Sequence, residues 1–80
     1  MKILITKTAF KNLKKLDAPT KERITKGIYK LPLGDVKRLQ GYNNYYRLRI
    51  GDFRILYSLD DDNTITIMAV LPRGEAYKNI

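Results

Sequence analysis

YYRLRIGDFRILY, residues 45–57, is the stretch that decides the fold. Tyr46, Leu48 and Ile50 alternate with Tyr45, Arg47 and Arg49, and that period of two reads as a half-buried strand. Phe53, Ile55 and Tyr57 alternate in the same way with Arg54, Leu56 and Ser58. Between the runs lies Gly51-Asp52, suited to a tight hairpin because glycine accepts the positive φ of primed turns. With those residues as the loop, Ile50 faces Phe53, Arg49 faces Arg54 and Tyr46 faces Tyr57, and each facing pair shares one side of the sheet. One side is then a core of Tyr46, Leu48, Ile50, Phe53, Ile55 and Tyr57. The other gathers Arg47, Arg49 and Arg54.

Like charges placed directly opposite across a ladder cost about 0.2–1 kcal/mol. Two readings of that cost compete. Arginine stems can spread over a sheet and keep their heads in water. Alternatively the cluster is an anion site, because guanidinium groups grip phosphate bidentately and stay charged. Three on one face favour the second reading, since a local rule broken this openly tends to mark function.

Outward from the hairpin, Lys2 to Ile5 (KILI) reads as a first strand. Thr6 caps a helix from about Lys7 to Leu16, with Ala9, Phe10, Leu13 and Leu16 at helical spacing and Lys7, Lys11, Lys14 and Lys15 outside. Asp17-Ala18-Pro19 stops that helix and starts another, with Pro19 in its first turn. Ile24, Ile28 and Leu31 form the buried stripe of the second helix, and Gly27 is placed for close packing. Pro32 and Gly34 end the helical part. LGDVKRLQGYNN then reads as a loop leading to the hairpin, Asp60 to Asn63 (DDDN) as a turn, and Thr64 to Leu71 (TITIMAVL) as a final strand rich in β-branched residues. The DDDN run lacks the spaced ligands and distal glutamate of a calcium loop. The expected fold is α+β and two-layered. Its order is βααβββ, an antiparallel sheet with a two-helix hairpin on one face and the arginine face left open.

Eighty residues point to one domain, 1–80, and a chain this short buries only about 60–65% of its unfolded surface. Cysteine is absent, so disulfide staples are out and a reducing cytoplasm is the expected setting. No apolar run suggests a signal peptide or a membrane span. Sixteen Lys and Arg against eight Asp and Glu leave a net charge of +8, which in so small a chain points to an acidic partner, nucleic acid first.

Histidine is absent as well, which removes His-assisted nucleophiles and the usual zinc sites. No glycine-rich phosphate loop opens a helix, so P-loop nucleotide hydrolysis is excluded, and no cofactor is expected. What remains is arginines, tyrosines and a few carboxylates. Such a set suits the stabilisation of a dianionic phosphorane. RNA makes that chemistry feasible, because its own 2′-OH can attack the neighbouring phosphate.

At this point the chain resembles the RelE/ParE superfamily of bacterial and archaeal toxins. KILITKTAFKNLKKLD, ERITKGIYKL, VKRLQGYNNYYRLRIGDFRILY and AVLPRGEAY carry the resemblance over nearly the whole length, and the block from Arg38 to Tyr57 is its most specific part. The resemblance implies a toxin held silent by a cognate acidic antitoxin. In the RelE-like branch it implies a ribosome-dependent mRNA endonuclease that cuts in the A site and leaves 2′,3′-cyclic phosphate and 5′-OH ends. The site residues it implies are Arg47 and Arg49 before the hairpin turn, Arg54 after it, Arg73 after the last strand and Tyr77 near the C-terminus. The alternative within the superfamily is a ParE-like inhibitor of DNA gyrase that cuts nothing. A further alternative is an RNA-binding relic that has lost its base.

One departure matters. Well-studied bacterial members carry lysine where Arg47 and Arg49 stand, and arginine is a very poor general base because its pKa exceeds about 12. Arg47, Arg49 and Arg54 are therefore expected to bind phosphate, and Arg73 to contact the scissile phosphate or the leaving oxygen. Tyr77 becomes the candidate base and Glu75 the second candidate. Tyr42 and Tyr45 could stack on bases, whereas Tyr46 belongs to the core face.

Overall fold

The computed structural model describes residues 2–39, 41 and 44–72. The elements run β1 (Lys2–Ile5), α1 (Lys7–Lys14), α2 (Ala18–Tyr29), β2 (Asp35–Arg38), β3 (Tyr45–Ile50), β4 (Phe53–Leu59) and β5 (Thr64–Pro72). The strands form one sheet in the order β1-β5-β4-β3-β2, with α1 lying against β5 and α2 against β3. This is the expected two-layer α+β architecture.

Two details differ from the expectation. Asp35–Arg38, read from sequence as loop, is a strand pairing antiparallel with β3, Val36 opposite Leu48. Its sequence, DVKR, offers a single apolar residue, so no alternation announces it. Charged residues on a short outer strand are also how sheets blunt an exposed edge. The other detail is at the opposite edge, where β1 pairs with β5 in parallel, Ile3 opposite Ile65 and Ile5 opposite Ile67. Parallel neighbours need a long crossover. Here the chain between them is α1, α2 and the β2–β4 meander.

Thr6 fixes the start of α1. Its Oγ1 accepts from the Ala9 N–H at 3.1 Å and donates to the Met68 carbonyl at 3.0 Å. Met68 is the extra residue of a bulge, since Leu56 pairs with Ala69 but Tyr57 pairs with Ile67. The β1 pairings on β5 end at Ile67, and further along the strand the Val70 N–H is taken up by Asn12 Oδ1 at 3.0 Å. A mid-helix asparagine thus ties α1 to the sheet by satisfying a backbone donor. Ala9 and Leu13 are buried, but Phe10 is 55% exposed, with the Lys14 ammonium 5.7 Å from its ring centroid. The expected stripe was one residue too wide: Ala9 and Leu13 sit one above the other, and Phe10 points about a quarter-turn away.

In α2, Asp17 caps by accepting from the Thr20 N–H at 3.4 Å, and the proline lies in the first turn. Ile24, Ile28 and Leu31 are buried as expected. Gly27 faces β3 so closely that a Cβ there would collide with Ile50 Cδ1. The core they complete includes Leu48, Ile55, Tyr57, Ile65, Ile67 and Val70. Within it Tyr46 stacks on Tyr57, ring centroids 5.4 Å apart and planes 15° from parallel. Burial, with a smaller contribution from Tyr46, pushes the Tyr57 phenol up to about 12.

Candidate active site

The hairpin that supplies the site closes as its sequence dictates. Of the two loop residues only Gly51 has positive φ, at 57°, which matches a II′ turn with glycine in the first central position. The register is the expected one: Ile50 opposite Phe53, Arg49 opposite Arg54 and Tyr46 opposite Tyr57. On the other side of β3, β2 sets Asp35 opposite Arg49 and Lys37 opposite Arg47. Because facing residues share a side, three adjacent strands present Asp35 and Lys37, then Arg47 and Arg49, then Arg54 on the face turned away from the helices. Among the described strand residues, Asp35 is the sole carboxylate.

This face is less open than expected. Arg54 is only 6% exposed, and the Arg47 side chain only 14%, whereas Arg49 is exposed. Arg54 lies on β4, flanked by β3 and β5, and its Nη1 turns back to donate to the Phe53 carbonyl at 3.3 Å. A buried cation is tolerated only when it is hydrogen-bonded. Arg47 turns towards β2, where its Nη1 donates to the Asp35 carbonyl at 3.2 Å and lies 3.5 Å from Asp35 Oδ1. Its Nε is buried with no hydrogen-bond partner. A buried, unanswered donor costs about 1–3 kcal/mol, so a ligand oxygen that reached it would recover that cost.

The arrangement therefore offers an anion three kinds of donor. Arg49 projects into solvent, Arg47 has a spare N–H, and Arg54 supplies fixed positive charge from within the sheet. None of the three can take a proton at neutral pH. Tyr45 is half-buried on the same face, opposite Ser58, and Tyr46 is confined to the core by its stack on Tyr57. Arg73, Glu75, Tyr77 and Tyr42 lie outside the described residues.

Asp35 is the carboxylate of this face that sequence reasoning missed. It was missed with its strand, because LGDVKRLQGYNN reads as a loop. With one apolar residue in DVKR, no alternation was there to signal the strand.

The same hairpin and sheet are found in known proteins. A family model described as the ParE toxin of type II toxin-antitoxin systems matches residues 3–77. The chain belongs to this toxin family. It is 36% identical to Toxin RelE3 of Methanocaldococcus jannaschii, over 96% of each chain. Its fold superposes with a TM-score of 0.78 on a chain of the RelB-RelE antitoxin-toxin complex from Methanococcus jannaschii, at 34% identity, covering 96% of this chain and 98% of that one. The toxin-antitoxin complex RelBE2 of Mycobacterium tuberculosis gives a TM-score of 0.77 at 27% identity, covering 90% and 96%. Among these relatives the toxin resembles RelE proteins along nearly its whole length.

Proposed function

We propose that this toxin is an endoribonuclease that cleaves mRNA in the ribosomal A site. The 2′-OH attacks the neighbouring phosphate, the bond to the 5′ oxygen breaks, and the products end in 2′,3′-cyclic phosphate and 5′-OH. The observation that carries the reading is the Arg49–Arg54 cross-strand pair with Arg47 on the same face, an arrangement that costs stability unless an anion uses it. Arg49 and the spare Nε–H of Arg47 bind the scissile phosphate, and Arg54 stabilises the charge that builds on its oxygens in the transition state. Arg73, against the same phosphate, and Tyr77, beside the 2′-OH, join the proposal on the resemblance alone. The RelE names of the relatives support the same activity.

The partner that holds the enzyme silent is an acidic antitoxin. The net charge of +8 favours one, and the solved relatives are complexes with RelB.

A second reading has one observation in its favour: the matching family model describes ParE toxins. On that reading the toxin binds DNA gyrase and cuts nothing. Primer extension on mRNA held in programmed ribosomes separates the two. Wild type is expected to cut at the A-site codon and leave cyclic phosphate, with Arg54→Ala nearly silent. Intact mRNA together with inhibited gyrase supercoiling would replace the nuclease reading with the second.

A further inference from the structure

The proposed reaction needs a group that takes the proton of the attacking 2′-OH, and three arginines cannot supply one. We infer that Asp35 takes that proton, an assignment that rests on the nuclease reading above.

Position is the first argument. Asp35 stands directly opposite Arg49 across the β2–β3 ladder and reaches diagonally to Arg47, so its carboxylate lies beside the Arg47 guanidinium, which is assigned to phosphate. It is the sole carboxylate among the described strand residues. The other charged residues packed around it, Lys37 on its own strand and Arg47 and Arg49 on the next, are all cations.

The second argument is that Asp35 has little structural work. Arg47 Nη1 is held by the Asp35 backbone carbonyl at 3.2 Å, and the carboxylate adds only a longer contact at 3.5 Å. The Asp35 side chain is 58% exposed, and ion pairs that open to water contribute about 0–1 kcal/mol. The backbone carbonyl, which any residue would supply, already orients the arginine. The carboxylate is therefore left facing solvent at the edge of the phosphate site, where an incoming ribose would meet it.

The step balances without any co-reactant beyond water. The 2′ oxygen gives its proton to Asp35 as its bond to phosphorus forms. The P–O5′ bond breaks with its electron pair on O5′, which is protonated from water. Asp35 then returns its proton to solvent. With Asp35 as acceptor, Tyr77 is left the role of binding substrate.

Single-turnover cleavage on programmed ribosomes tests the assignment with wild type, Asp35→Asn, Asp35→Ala and Tyr77→Phe. Asn keeps the shape and the acceptor oxygen beside Arg47 but is not basic. Asp35→Asn is expected to slow the cleavage step at least ~100-fold with no loss of mRNA-ribosome affinity, in line with general-base contributions. Asp35→Ala is expected to be equally slow and to recover several-fold in potassium acetate relative to potassium chloride at the same ionic strength. Cleavage by Asp35→Asn within threefold of wild type would overturn the inference while leaving the nuclease intact. Loss in Asp35→Ala alone, without acetate rescue, would reduce Asp35 to a positioning residue for Arg47. A slow Tyr77→Phe beside a normal Asp35→Asn would return the proton to Tyr77. Absence of cuts by the wild type would remove the reading and the inference together.

Discussion

The two faces of the β3–β4 hairpin are built from the same alternation, yet they hold their residues by different physics. On the helix side every partner is apolar, Leu48 opposite Ile55 and Ile50 opposite Phe53, and contact lowers the free energy of both. On the other side Arg49 meets Arg54, and contact raises it. The first face is explained by folding alone. The second carries a repulsion that the proposed phosphate would relieve. The lesson is that the stability of a face and its function can be separated by substitution, which makes the comparison open to attack from both sides.

The largest effect is expected on the apolar face. Ile55 is fully buried at the centre of the sheet, and Ile55→Ala is expected to cost about 2–5 kcal/mol, read as a lower urea midpoint. Domains of this size have only about 4–12 kcal/mol in hand, so much of the stability goes with one side chain. A midpoint near wild type would mean that the sheet can collapse around the gap, and the core reading of this face would fail.

The arginine face should answer in the opposite way. Arg54→Ala is expected to lower cleavage at least ~100-fold, since oxyanion-type contacts are worth roughly 3–4 kcal/mol. The fold should persist with a smaller stability loss than Ile55→Ala causes, because relief of the Arg49–Arg54 repulsion offsets part of the packing and hydrogen bonding lost with this buried arginine. A variant that unfolds in urea as early as Ile55→Ala would place Arg54 among the structural residues and break the contrast between the faces.

Tyr57 sharpens the comparison by pH. Its phenol is raised from the ordinary 10 to about 12 in the folded chain. The folded state therefore keeps a proton that the unfolded state has released. The corresponding stability is fully present below pH 10 and is lost as pH rises through the folded value of about 12. Urea unfolding followed between those limits should show a steeper loss for wild type than for Tyr57→Phe. Parallel slopes would mean that the Tyr46–Tyr57 stack leaves the phenol open to water.

Gly27 gives the smallest effect. A Cβ there would strike Ile50 Cδ1, but Ile50 is only half-buried and can change rotamer. An off-rotamer side chain costs about 0.5–1.5 kcal/mol, and the glycine-to-alanine gain in helix propensity is about 0.8–1.0 kcal/mol. Gly27→Ala is therefore expected to shift the urea midpoint by less than ~1 kcal/mol in stability. A large loss would show that α2 and β3 are locked in register by this contact.

Legibility in the sequence followed the size of the local signal. The hairpin register, the Thr6 cap of α1 and the buried Ile24 and Ile28 of α2 were legible because each depends on residues a few positions apart. β2 was not, because a charged four-residue edge strand carries no periodicity of its own and exists only because β3 offers it a ladder. Phe10 was assigned to the core because helical spacing alone cannot say how wide the buried stripe is, which depends on where β5 lies beneath α1.

The site divides along the same line. The sequence by itself determined that Arg47, Arg49 and Arg54 share a face, since alternation and a two-residue turn leave no other register. Only the tertiary structure decided what each of them does there. Arg54 is enclosed on β4, the middle strand of the five, Arg47 is turned aside towards Asp35, and Arg49 is left in water. Strand order and diagonal contacts join residues far apart in the chain, and no local pattern encodes them.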